Sequence, residues 1–242
     1  MSNEYFRFKQ FSVCQDRCAM KVGTDGVLLG AWAPLSQAHR ILDIGTGTGI
    51  ISLMAAQRAP QATIDAVELD EMAASQAREN FDNSPWTSRL AVHQCSIQEY
   101  VADRAGEGDV LYDFIVSNPP FFEESTMAPE ERRRMARSAG ASLPLSDLFR
   151  CVSGLLTDGG KFALIYPPTS DSSVQMAAAL CRMSVECVCE VKTVEHKPVK
   201  RIMSLFGRGG GDASLRREVL SMRIPGGDYS PAYKALTGDF YL

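Results

Sequence analysis

An open α/β sheet with helices on both faces is the fold predicted for this 242-residue chain, from three observations. Short runs rich in Val, Ile, Leu and Phe alternate with stretches of helical period through the middle of the chain. The links between them are short, and one junction of strand and helix is dense in glycine. Strand, helix, strand with short links implies parallel pairing through right-handed crossovers. With 45% apolar and 22% charged residues the chain can bury a sizeable core, and an α/β fold of this length often forms one domain.

In chain order, RILDI (40–44), ATIDAVEL (62–69), LAVHQC (90–95), YDFIVS (112–117) and KFALIYP (161–167) read as strands bounded by Gly, Pro or Asp. Between them GIISLMAAQRA, EMAASQARENF, SIQEYVAD and LSDLFRCVSGLLTDGG suit helices. A further helix is expected around SSVQMAAALCRM. The runs VECVCEVKTV (185–194) and RIMSLFGR (201–208) are separated only by EHKPVK, too short for a crossover helix, so they pair antiparallel. GRGGGDAS reads as a loop and REVLSMRI as an extra edge strand before the tail YSPAYKALTGDFYL. There is no internal repeat and no second-domain boundary.

Composition excludes several classes. No run of eighteen apolar residues appears, and MSNEYFRFKQ lacks the apolar core of a secretion signal, so a soluble, cytoplasmic protein with no membrane role is expected. Seven cysteines are scattered without zinc spacing, and His39, His93 and His196 stand apart from one another. Reduced thiols that pack, and no metal, are the expectation. The net charge of −4 excludes a surface basic all over, yet one positive face is enough to hold a nucleic acid.

LDIGTGTG places Asp43, Gly45, Thr46, Gly47 and Gly49 where the first central strand meets its helix. Glycine permits the sharp turn and lets a ligand approach the backbone, and the helix start offers unpaired N–H groups and about half a positive charge. Glu68 ends the second strand in VELD. In a doubly wound sheet that strand end lies beside the glycine corner, where a carboxylate can accept both hydroxyls of a ribose. The spacing is G-x-G-x-G, unlike the G-x-G-x-x-G of dinucleotide enzymes.

LDIGTGTG with VELD resembles the cofactor site of class I S-adenosylmethionine-dependent methyltransferases. The resemblance implies a Rossmann-like, seven-stranded, mostly parallel sheet with an antiparallel terminal hairpin, and S-adenosyl-L-methionine as cofactor. It implies that Gly45, Thr46, Gly47 and Gly49 lie against the cofactor, that Asp43 orients it, and that Glu68, next to Leu69, holds its ribose. Ser96 and Ile97 fall where the family places contacts to the adenine ring, although the usual acidic residue there is Cys95 or Ser96. Thr24 and Asp25 of KVGTDGVLLGAW either curl over the methionine end of the cofactor or simply begin a helix. The domain expected is 1–242, with an N-terminal capping extension (1–38), a sheet core (39–208) and a C-terminal loop, edge strand and tail (209–242).

The fourth strand runs straight into Asn118, Pro119, Pro120 and Phe121. In such sheets ligands bind outside the carboxyl ends of the strands, near the point where strand order reverses. A planar amine is a poor nucleophile because its lone pair is delocalised. Two acceptors held at its N–H bonds favour the more tetrahedral nitrogen of the transition state. The Asn118 side-chain oxygen and the Pro119 carbonyl can be those acceptors, with the proline rings restricting the backbone. Phe121 offers a face on which a base can stack, worth roughly 1–3 kcal/mol. Phe122 is expected to pack.

This quartet resembles the signature of amino-methyltransferases that modify adenine N6, guanine N2 or a glutamine amide. A segment of about forty residues before the first core strand leaves no room for the helical domain of release-factor glutamine methyltransferases, and no segment suits a DNA target-recognition domain. ERRRMAR gathers Arg132, Arg133, Arg134 and Arg137 after the proline corner, a run that could also be a solvated helix face. From Lys192 to Arg217 seven basic residues face two acids. Of these, Lys192, Lys197, Lys200, Arg201 and Arg208 suit phosphates. GTDGVLLGAW, NPPFF, RRRMARS, the basic hairpin and YSPAY with FYL resemble the bacterial tRNA(Val) adenine-N6 methyltransferase family. The resemblance covers nearly the whole chain and implies methyl transfer to an adenine next to the anticodon, with tRNA as partner and no obligate protein partner. ARSAG departs from the family, where a histidine and a glutamate follow the AR. Against this stand methylation of rRNA guanine, DNA adenine or a protein amide, and a nucleoside- or RNA-binding protein without catalysis.

Overall fold

Residues 4–18, 21–104, 111–121, 143–208 and 214–242 are described by the computed structural model of the chain. A hairpin of β1 (Tyr5–Arg7) and β2 (Ser12–Cys14) leads to α1 (Thr24–Trp32), and the alternating body follows: β3 (Arg40–Ile44), α2 (Ile50–Arg58), β4 (Thr63–Glu68), α3 (Glu71–Asp82), β5 (Leu90–Gln94), α4 (Ile97–Arg104) and β6 (Tyr112–Ser117). After it come α5 (Leu145–Leu155), β7 (Leu156–Tyr166), α6 (Asp171–Leu180), β8 (Met183–Val194), β9 (Val199–Arg208), β10 (Arg216–Arg223) and α7 (Pro231–Thr237).

The eight strands of the main sheet lie in the order β10, β8, β9, β7, β6, β3, β4, β5. β3, β4, β5, β6 and β7 are parallel, and β9 runs antiparallel to both β7 and β8. β3 is covered on both faces: Ile41 packs into one apolar cluster with α1, α2 and the two ends of the chain, and Leu42 into another with α4, α5 and α6. A strand buried on both sides needs the near-continuous apolar run that RILDI shows. Strand order reverses between β3 and β6, so their carboxyl ends open the crevice in which such sheets bind ligands.

REVLSMRI forms the extra edge strand read for it, β10, which pairs parallel with β8 and makes eight strands where the family resemblance implied seven. The structure departs from the sequence reading in three further places. The helix expected to run through LLTDGG stops at Leu155, and the next residues enter β7. Gly159 there takes a φ of +84°, outside the helical region, and the β6–β7 register shifts between Tyr112 and Phe114 to absorb the extra residues. The β1–β2 hairpin was not expected, being three residues a side. PAYKALT in the tail forms a helix, started by Ser230, whose Oγ accepts the Tyr233 N–H at 3.0 Å.

Candidate active site

The glycine corner forms because three residues take positive φ: Gly45 (72°), Gly47 (57°) and Gly49 (83°). A Cβ on Gly49 would stand 2.5 Å from Phe81, so packing as well as conformation requires glycine there. At Gly45 and Gly47 a Cβ would meet nothing within 4 Å, and both residues line a cavity of about 660 Å³. Glu68 Oε2 accepts the Gly47 N–H and Oε1 accepts the Asp70 N–H, both at 2.9 Å. The carboxylate is therefore locked to the loop that its strand end adjoins.

Asp43 is fully buried at the end of β3. Its Oδ2 accepts hydrogen bonds from the Thr46 and Ser52 hydroxyls, each at 2.7 Å, while Oδ1 is buried with no hydrogen-bond partner among the described residues. Burial pushes its carboxyl up to about 6, outweighing the two hydroxyl donors. An orphaned, buried acceptor behind a glycine cradle suits a ligand that brings a positive charge or a donor.

The proline corner reaches the same cavity from β6. Ser117, buried, donates from Oγ to the Ile44 carbonyl at 2.8 Å and so ties the ends of β6 and β3 together. Asn118, Pro119, Pro120 and Phe121 then line the cavity opposite Gly45 and Gly47. The Phe121 ring lies 6.2 Å from that of Tyr166, tilted by 51°, and Tyr166 in turn bonds Ser204 and Asp171 through its hydroxyl.

Thr24, Asp25 and Gly26 begin α1, and all three also line the cavity. Lys200 and Arg201 line its far side, and Arg201 Nε donates to Asp25 Oδ2 at 2.7 Å. Lys197 sits exposed in the β8–β9 turn at the same end of the sheet. Arg208 lies at the other end of β9, about 24 Å away at the rise of an antiparallel strand, where Nη1 holds the Leu156 carbonyl at 2.8 Å. Its place is structural, and it does not adjoin the cavity. Ser96 caps α4, exchanging hydrogen bonds with Glu99, and Ile97 is buried in the core. Leu69 stands half exposed beside Glu68. Phe122, ARSAG, Arg132, Arg133, Arg134 and Arg137 lie outside the described residues.

Several supports were not read from sequence. Asn80, buried in α3, accepts the Cys14 N–H through Oδ1 and donates from Nδ2 to the carbonyls of Cys14 and Thr48, fastening the β2 hairpin to the glycine loop. Nothing local marks it, since its partners are 66 and 32 residues away. Tyr166, a cavity wall, carries only the signal of an aromatic residue at a strand's carboxyl end. Away from the cavity, His93 and Asp65 pair at 2.8 Å, with Tyr112 donating to Asp65. Although burial raises the Asp65 carboxyl, hydrogen bonds from His93 and Tyr112 bring it below the usual range. Burial pushes the Cys18 and Cys189 thiols up to about 12, so both stay protonated at neutral pH. Among the described residues no group of His, Cys, Asp and Glu could hold a metal, and no helix is long and apolar enough to cross a membrane.

The family model described as "Methyltransferase small domain" matches residues 22–180. The tRNA1(Val) (adenine(37)-N6)-methyltransferase of Trichodesmium erythraeum is 42% identical over 247 residues, spanning 100% of this chain and 99% of its own. That of Christiangramia forsetii is likewise 42% identical, over 243 residues and the same shares of the two chains. In fold the chain is similar to a crystal structure from Agrobacterium tumefaciens described as a predicted O-methyltransferase, with a TM-score of 0.72 at 22% identity, covering 89% of this chain and 96% of that one. An O-methyltransferase from Bacillus cereus in complex with SAH aligns with a TM-score of 0.55 at 16% identity, over 80% and 85% of the two chains. Identity of this extent over the full length, on a methyltransferase fold, places the chain in the tRNA1(Val) (adenine(37)-N6)-methyltransferase family.

Proposed function

We propose that the protein transfers a methyl group from S-adenosyl-L-methionine to the exocyclic N6 amine of an adenine in tRNA, the one next to the anticodon of tRNA(Val). One observation carries the reading: Asn118 to Phe121 end the strand at the reversal point and line one cavity with the glycine corner. The names and full-length identity of the relatives support the substrate. A tRNA substrate puts the enzyme in the cytoplasm.

The residues present fit the cofactor. Gly45 and Gly47 leave space against the backbone, Glu68, bonded to the Gly47 N–H, suits a ribose, and the unpartnered Asp43 Oδ1 behind the loop suits a positively charged ligand end. The start of α1 presents unpaired N–H groups to the cavity, and Asp25 presents a carboxylate, so a zwitterion meets both of its partners there. When bound, S-adenosyl-L-methionine supplies an electrophilic methyl carbon on a positively charged sulfur.

The chain's own residues prepare the amine. Asn118 Oδ1 and the Pro119 carbonyl accept its two N–H bonds and turn the lone pair outward, and neither adds a full charge. Phe121 holds the ring plane by stacking, at roughly 1–3 kcal/mol, comparable with the cost of unstacking a base. An anticodon loop suits this site because its bases are already partly unstacked. Lys200, on the cavity wall, and Lys197, exposed in the β8–β9 turn, suit the RNA backbone.

Incubation with methyl-labelled cofactor and separate pools of tRNA, rRNA, DNA and protein tests the reading. Label is expected in tRNA as N6-methyladenosine, mapped by nuclease digestion and mass spectrometry to the nucleotide 3′ of the anticodon. Label confined to any other pool would overturn it.

A further inference from the structure

Arg201 was read from sequence as an RNA contact, but the structure commits its guanidinium elsewhere. Nε donates to Asp25 Oδ2 at 2.7 Å and Nη1 donates to the Lys200 carbonyl at 2.8 Å, which together fix the plane of the group. The pair is partly sheltered, with 28% and 34% of the two side chains exposed, and both residues line the cavity. Asp25 lies in the first turn of α1, where the N-cap residue, Gly23, gives no side-chain cap. Next to it, a Cβ on Gly26 would stand 3.3 Å from Ile50 and 3.9 Å from Asn118 Nδ2. These bonds thus tie the β8–β9 hairpin to the start of α1 through Asp25.

An aspartate at a solvent-facing helix start samples several rotamers, and a carboxylate that must meet a ligand cation loses affinity in proportion to the time spent elsewhere. A guanidinium fixed on its own strand removes that freedom. Among the described residues one oxygen is engaged, which leaves Oδ1 and the remaining lone pairs of Oδ2 for the ligand. We propose that Arg201 is a positioning residue for the cofactor: it holds the Asp25 carboxylate at the cavity mouth in the orientation that receives the positively charged amino group of the cofactor's amino-acid end. This rests on the cofactor reading above and moves Arg201 from the RNA surface to the cofactor site.

The test is calorimetric binding of S-adenosylhomocysteine, which keeps that amino group, in the absence of any RNA. Arg201→Gln is expected to raise the dissociation constant about five- to tenfold, the range for one partly sheltered ion pair and its consequences, and Arg201→Lys to recover part of the loss. Asp25→Asn should weaken binding at least as much as Arg201→Gln. The double variant should match Asp25→Asn within about twofold, since Arg201 acts only through Asp25. Unliganded melting temperatures should stay within about 4 °C of the unaltered protein, as expected for a pair of this exposure. The inference is overturned if Arg201→Gln binds within twofold of the unaltered protein and only its Michaelis constant for tRNA rises. Additive losses in the double variant would overturn it too, as would a melting temperature lowered by more than about 10 °C in both Arg201 variants, which would mark a structural clamp. If the unaltered protein takes up no S-adenosylhomocysteine at all, the cofactor reading fails first and the inference with it.

Discussion

Asn118 and Asp43 show how much one side chain can decide here. Removing one preorganised acceptor from a transition state typically costs about 10²–10³ in rate, so Asn118→Ala should lower kcat by that factor. Binding of S-adenosylhomocysteine should change less than about threefold, because one neutral partner is lost. Normal turnover by this variant, measured with saturating tRNA, would remove Asn118 from the mechanism. Asp43 predicts a pH effect. Its carboxyl is raised from 3.8 to about 6 in the folded protein, so its contribution to stability is fully present below 3.8 and is lost as pH rises through about 6. Asp43→Asn removes that titration, and its melting temperature relative to the unaltered protein should move upward between pH 5 and pH 8. A ligand cation beside Asp43 favours the ionised form. Binding of S-adenosylhomocysteine near pH 6 should then release protons, seen as a buffer-dependent heat, and affinity should rise from pH 5 to pH 7. The motif residues could be named from sequence because G-x-G-x-G and N-P-P-F are contiguous. The orphaned Oδ1 of Asp43 could not, since it depends on how Thr46 and Ser52 turn in the fold.

Among the elements, the strands of the alternating body were legible almost to the residue; β3 and β6 fall where RILDI and YDFIVS were read. Parallel central strands are apolar on both faces, which makes them conspicuous. β7 was harder, because its first half, LTDGG, is a bulged entry that only pairing with Tyr112 makes a strand. The β8–β9 hairpin followed from loop length, but the fate of its cations did not. The structure divides them: Lys197 and Lys200 stand at the cavity end, Arg201 is paired with Asp25, and Arg208 holds Leu156 at the opposite end. Lys197→Ala and Lys200→Ala should each reduce the slope of log affinity for tRNA against log salt by about 0.7–0.9, as expected for the loss of one phosphate contact. Arg208→Ala should leave that slope unchanged. Equal slopes for all three variants, from filter binding at several salt concentrations, would show that position along β9 does not matter.

For the whole molecule, the two ends of the chain form one aromatic layer. Phe8 stacks on Phe11 and on Tyr241, Tyr241 on Tyr233, and Tyr233 on Tyr229, beneath α1 and α2. Phe240, 2% exposed, seals the same cluster, and its carbonyl accepts the Lys9 N–H at 2.9 Å. Because α1 carries the cavity wall on this layer, the tail supports the site from behind. Phe240→Ala should destabilise the protein by about 3–5 kcal/mol, measured by urea unfolding. A loss below about 1 kcal/mol would mean that the tail is an independent appendage. Sequence reading placed 209–242 as loop, edge strand and tail, and gave no hint that its last residues meet the first.

The sequence by itself determined the sheet's alternating body, the glycine and proline corners and the family, because each is written in adjacent residues whose local conformations and order along the chain are enough. Only the tertiary structure decided which residues share the cavity, which arginine faces it, and what holds the glycine loop to the N-terminal hairpin. Those contacts join residues far apart in the chain, 32 positions for Asn80 with Thr48, 66 for Cys14 with Asn80 and 176 for Arg201 with Asp25. Such pairs depend on the closure of the whole fold, and side-chain chemistry alone leaves too many partners equally suitable.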